Sequence, residues 1–264
     1  MTSLSLLQIV LAALCGGLVG FSLGLVGGGG SILAVPLLVY VVGVQDPHLA
    51  IGTSALAVAA NAATGVYQHA RHAHVRWPVA GLFAAAGVLG AWLGSSLGKA
   101  VDGQRLLFLF ALLMLVIAGL MLRHRHHPGH GERALDLPTG LRLSVSGLAV
   151  GGMSGFFGIG GGFLIVPSLM LAAGLPILFA IGSSLVAVTA FGLTTALNYA
   201  RAGWVDWPLA LLFIVGGLLG SRLGMLSARR LSVNRGVLNT VFAGLIVLVA
   251  LYMLYRGRAV ILGG

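Results

Sequence analysis

Long apolar runs, separated by short polar intervals, follow one another along the chain. The first extends from Leu4 to about Val44. As a single helix it would be about 60 Å long, twice the hydrocarbon thickness of a bilayer. It must therefore fold back, and Gly27-Gly-Gly-Gly30-Ser31, with Val35-Pro36 behind it, marks the corner. Apolar segments follow at about 49–67, 78–98 and 105–122. After a polar interval, a second long run at about 141–175 carries its own cluster, Gly158-Ile-Gly160-Gly-Gly162, with Val166-Pro167 behind it. Segments at about 180–199, 208–226 and 236–255 come next. Each glycine costs roughly 1 kcal/mol relative to alanine in a helix interior, so several in one turn predict a break.

The two halves match residue by residue. An offset of 130 aligns Gly52 with Gly182, Ser54 with Ser184, Thr64 with Thr194, Arg71 with Arg201 and Trp77-Pro78 with Trp207-Pro208. An offset of 131 superposes Gly29-Gly30 on Gly160-Gly161 and Pro36 on Pro167. This predicts a first transmembrane repeat at 1–122, a basic His-rich linker at 123–140 and a second repeat at 141–264. If the broken run crosses the membrane twice, each half has five spans; if it dips in and returns, each has three. Both counts are odd, so the halves should have opposite orientation. The expected fold is an all-α polytopic membrane protein of two inverted repeats of about five helices each. Glycine-broken or re-entrant helices stand at the start of each repeat.

Composition excludes a soluble globule: 58% of the 264 residues are hydrophobic, 8% are charged, and the mean hydropathy is +1.05. The 42 glycines suit close helix packing in lipid. Gly87, Gly90 and Gly94 align with Gly217, Gly220 and Gly224, and Gly87 reads as a packing position, where alanine should be milder than valine at Gly30 or Gly161. The net charge of +10 is carried in short loops, which reads as topology control rather than nucleic-acid binding. One face collects Arg71, Arg76, Arg123, Arg125, Arg133, Arg229, Arg230 and Arg235; the other collects Lys99, Arg105, Arg201, Arg256 and Arg258. The first face should be cytoplasmic, with both termini outside. Cys15, the single cysteine, reads as a buried packing residue, so no disulfide framework is expected. The segment from Met1 to Gln8 lacks the positive charge that opens a cleavable signal peptide.

A helix that begins in mid-membrane exposes unpaired N–H groups and the positive end of its dipole, a ready site for an anion. Gly29, Gly30 and Ser31, with Gly160, Gly161 and Gly162, are the candidate donors; close helix packing is the competing explanation. Gly52-Thr53-Ser54 and Gly182-Ser183-Ser184 stand near helix starts, where hydroxyls cap the helix or bind a ligand oxygen. Asn61, Thr64 and Gln68, then Thr194 and Asn198, form polar faces that either line a pathway or join helices. The acidic residues Asp46, Asp102, Glu132, Asp136 and Asp206 all fall in loops or at span ends. That disfavours a cation pathway or a buried-carboxylate proton relay. The His124–His130 cluster matches no closed metal site and reads as a solvated loop. Gly152-Met153-Ser154-Gly155 has the look of an intramembrane serine protease, but no histidine follows His130 to activate the serine. No enzyme activity, cofactor or resident metal is expected.

The paired glycine clusters with their Val-Pro, the Gly-Thr/Ser-Ser helix starts and the Arg…Trp-Pro loops resemble the TauE/SafE family of sulfite exporters. The resemblance spans nearly the whole chain. The first copy departs from it by an extra glycine and by Ser31 where the second has Gly162. It implies export of small sulfur-containing anions, such as sulfite or organosulfonates, across the bacterial inner membrane. The partners are then the small anion and the bilayer, with transport by alternating access around a midplane anion site. A divalent metal-cation transporter, resting on the His loop, and an intramembrane enzyme are the alternatives.

Overall fold

The computed structural model describes residues 5–123, 133–231 and 235–262, which are helical with no strand among them. Helix α1 (Leu6–Val26) runs into a 3₁₀ turn (Gly27–Leu33), the short α2 (Ala34–Leu37) and a π turn (Leu38–Val42). Then follow α3 (Pro47–Arg71), α4 (Trp77–Ala100) and α5 (Gly103–Arg123). The second half comprises α6 (Leu137–Phe157), α7 (Gly162–Ala173), α8 (Ile177–Arg201), α9 (Trp207–Leu231) and α10 (Arg235–Leu262).

Most helices outrun the apolar segments that announce them, because hydropathy sees only the lipid-matched middle. Asp46 caps α3, with Pro47 in its first turn, and the helix continues past the apolar stretch to Arg71. Helix α6 begins at Leu137, inside the stretch read as linker. Asp136 accepts the Thr139 N–H at 3.0 Å, and Pro138 stands in the first turn. Hydrogen bonds from Thr139 hold the Asp136 carboxyl below the ordinary carboxylate range. Residues 124–132, with the His cluster and Glu132, lie outside the described residues.

Helices α1, α3, α4, α5, α8 and α9 each contain a stretch long and apolar enough to cross a membrane. Gly30–Val42 and Gly162–Ala173 are shorter; at 1.5 Å per residue they reach only about 20 Å. The Arg133 N–H and Nη1 bond the Ala173 and Leu171 carbonyls at 3.0 and 3.1 Å. The far end of α7 thus lies beside the segment that leads into α6.

The halves interlock. Helix α1 lies against α9, α6 against α4, α3 against α8 and α5 against α10, while α3 also touches α9 and α4 touches α8. Exchanging the halves leaves this set of pairings unchanged. Gly16 meets Phe213, Gly20 meets Gly217 and Gly224 meets Phe21, so α1 and α9 run parallel. Gly147, Gly151 and Gly155 meet Phe83, Gly87 and Ala91, so α6 and α4 run parallel as well. Helices α3 and α8 are antiparallel: Gly52 meets Tyr199, Gly192 meets Ala59 and Gly65 meets Leu185.

Lipid offers helices no hydrophobic drive to associate, so close backbone approach supplies the attraction. A Cβ on Gly151 would lie 2.6 Å from the Gly87 Cα, and one on Gly87 would strike the Phe191 ring. Gly87 is thus a packing position, facing a ring and the Gly147 carbonyl.

Candidate functional site

The second glycine cluster makes a true break. Gly158, Gly160 and Gly161, flanking Ile159, have φ of +69°, +68° and +66°, left-handed values that L-residues adopt at a cost. Gly158 ends α6 and Gly161 starts α7, with no side chain capping that start. The first N–H groups of α7 therefore have no acceptor within the helix. The first cluster behaves differently. Gly29, Gly30 and Ser31 lie in a 3₁₀ turn that runs on from α1. The first cluster thus leads from α1 through a 3₁₀ turn into the short apolar run ending at Val42, while the second opens α7 after a left-handed break.

The turns nevertheless meet. A Cβ on Gly160 would lie 3.0 Å from Val58 Cγ1, 3.2 Å from Val188 Cγ1 and 4.0 Å from Ser31 Oγ. Val58 and Val188 are repeat mates on α3 and α8, so Gly160 and Ser31 sit where those helices cross. Ser31, Gly160, Gly161 and Gly162 are all buried. Gly30 is buried against Ser22 and Leu23 of α1.

Thr53 and Ser183 do something that no local pattern announces. Thr53 Oγ1 accepts the Asp206 N–H at 3.0 Å, and Ser183 Oγ accepts the Arg76 N–H at 3.0 Å. Each hydroxyl thus satisfies the backbone just ahead of a Trp-Pro helix start in the other half. The glycines beside them belong to the same joint: a Cβ on Gly52 would strike the Trp204 carbonyl, and one on Gly182 the His74 carbonyl. Ser54 and Ser184, again mates, donate to Ile51 and Ile181 carbonyls of their own helices at 3.0 and 2.8 Å.

The polar faces divide likewise. Thr64 and Thr194 are half-buried and donate to the Asn61 and Ala190 carbonyls, both at 2.7 Å. Asn198 joins α8 to α4: its Nδ2 donates to Ser95 Oγ at 2.6 Å and Ser96 Oγ at 3.0 Å. Its Oδ1 accepts from Lys99 Nζ at 2.8 Å. Lys99 also lines an open depression with Asp46, His48, Asp102 and Trp204 at that end of the bundle. The amide of Asn61, buried beside Gly217, and Gln68 Oε1 have no hydrogen-bond partner. Arg71 and Arg201 cover the Tyr67 and Trp92 rings at 5.3 and 5.0 Å, as interfacial anchors do. Among the described residues no three His, Cys, Asp or Glu side chains group as metal ligands.

Paired long helices stitched by glycine, two short helices that do not span, and an uncapped helix start inside the bundle define a multi-span helical membrane protein. The family description "Sulfite exporter TauE/SafE" matches residues 12–253. A probable membrane transporter protein from Xylella fastidiosa strain 9a5c is 55% identical over 245 residues, covering 92% of this chain and 94% of that one. The probable membrane transporter protein YdhB of Bacillus subtilis is 27% identical over 78% of this chain and 85% of its own length. A probable membrane transporter protein of Haemophilus influenzae is 27% identical, with 94% and 98% covered. No solved structure matches the chain. The chain belongs to the TauE/SafE family of membrane transporters.

Proposed function

We propose that the protein exports small sulfur oxyanions, sulfite or organosulfonates, across the bacterial inner membrane. The observation that carries this is the uncapped start of α7, which opens beside Ser31 where α3 and α8 cross. Such a helix end resembles about half a positive charge, worth about 0.3–2 kcal/mol depending on burial. A site built from neutral donors suits an anion that must bind and then leave. The acidic residues support the sign: Asp46, Asp102, Asp136 and Asp206 each accept a backbone N–H at a helix start. None of them offers a carboxylate to the crossing.

In this reading residues 1–122 and 141–264 are inverted repeats, and the antiparallel course of the mates α3 and α8 supports that relation. The Gly29–Ser31 and Gly160–Gly162 turns hold the anion, which moves by alternating access. Thr64, Gln68 and Thr194 line the approach, while Thr53, Ser183 and Asn198 join the halves. The face bearing Arg71, Arg76 and Arg133 is cytoplasmic. Membership in a transporter family supports a role without catalysis. The test is flux in proteoliposomes with sulfite, methanesulfonate, sulfate and a divalent metal side by side. Flux of the sulfur anions alone is expected; flux of the metal instead would overturn the reading.

A further inference from the structure

A hydroxyl inside a helix ordinarily returns to a carbonyl three or four residues back in its own helix. Ser54, Ser95, Ser184, Thr194 and Ser221 do so. Ser154, in the last turn of α6, does not. It is fully buried, and its Oγ has no hydrogen-bond partner. Its backbone is occupied, for the Ser154 carbonyl accepts the Gly158 and Ile159 N–H groups that close α6. Its side chain is turned the other way, toward Gly161: a Cβ there would lie 2.8 Å from Ser154 Cβ and 3.0 Å from Ser154 Oγ. Gly161 is the uncapped start of α7. An unpaired buried hydroxyl is unfavourable, and alanine would fill the same space without one.

The geometry points to Ser154 as the side-chain donor of the anion site, its hydroxyl sharing one sulfur oxyanion with the first N–H groups of α7. This deepens the function proposed above and rests on it. One oxygen accepts from Ser154 Oγ–H and the others from the backbone N–H groups of Gly162 and Phe163. The ligand class follows from that division: a sulfite or sulfonate group, with three oxygens on one centre, can engage both kinds of donor at once. The Gly-x-Ser-Gly arrangement at 152–155, which lacks a following histidine for protease chemistry, thereby gains a use.

Full-length Ser154→Ala in proteoliposomes, with sulfite as the probe, tests this. A hydrogen bond to a charged group sets the scale, so the half-saturating sulfite concentration should rise about tenfold or more. Ser154→Cys, a similar volume with a weaker donor, should fall between Ser154→Ala and wild type. Without ligand, the unfolding temperature of Ser154→Ala in detergent should equal or exceed that of wild type. The upward shift that sulfite gives wild type should shrink in Ser154→Ala. Wild-type half-saturation together with an undiminished sulfite shift overturns the role of Ser154 and leaves the anion reading standing. An unliganded Ser154→Ala that unfolds earlier than wild type also overturns it, since the hydroxyl then serves packing. A wild-type protein that neither carries nor is stabilised by sulfite or methanesulfonate removes both proposals.

Discussion

Replacing Gly161 by alanine perturbs the start of α7 in two ways that can be measured apart. The backbone there has φ +66°, and an L-residue in that region costs about 1–2 kcal/mol. The new methyl would also stand 2.8 Å from Ser154 Cβ, where ordinary contact begins at 3.4 Å. A displacement of about 0.6 Å in a close-packed bundle is an overpacking change, typically about 1–3 kcal/mol. Together the two effects amount to about 2–5 kcal/mol, a large part of the stability of an ordinary domain. Ser154→Gly in the same chain removes the steric part and leaves the strain. A double-mutant cycle on unfolding in mixed micelles should therefore return a coupling of about 1–3 kcal/mol between the two sites. An unfolding free energy for Gly161→Ala within about 0.5 kcal/mol of wild type would refute both halves of this estimate. A coupling indistinguishable from zero would refute the packing half alone.

Thr53→Val and Ser183→Val each strand a backbone N–H ahead of the opposite half's helix and should lower unfolding stability by about 1–2 kcal/mol. Equal stability in micelles would mean water takes over the role. Asn198→Leu removes the side-chain acceptor of Lys99, which keeps the residue 198 carbonyl at 3.2 Å, and the donor to Ser95, and should cost about 1–3 kcal/mol by the same measurement; a neutral result would mean that α4 and α8 hold together without this joint. Cysteine at Thr64 or Thr194, in a Cys15→Ala background, should react with a small charged thiol reagent and be slowed by sulfite. Labelling from neither side would leave these threonines as bonds within their own helices.

On the proposed anion reading, selectivity comes from where charge is missing as much as from where donors stand. The described acidic side chains are spent on helix starts outside the crossing. Arg71 and Arg201 stand at helix ends, over aromatic rings. A buried arginine would bind an oxyanion with charge-assisted, bidentate bonds and hold it longer than backbone groups do.

What the chain determined by itself was everything governed by short-range rules. Apolar length fixed where helices form, and glycine density fixed where the long runs break. The 130-residue register of Arg, Trp-Pro and glycine was legible in the chain as well. Even so, two clusters that are near copies in sequence differ in backbone. The first continues as a 3₁₀ turn while the second turns left-handed at Gly158, Gly160 and Gly161. Only tertiary structure decided what the polar residues do. Thr53 finds its partner 153 residues away and Ser183 finds its partner 107 away, separations at which no periodicity speaks. Ser54 and Ser184, adjacent to them and alike in sequence, turn back on their own helices instead. Ser154 came to face Gly161 only when α7 folded back against α6. A hydroxyl bonds whichever group lies within about 3 Å, and in a bundle of interlocked halves that group is chosen by packing between distant helices.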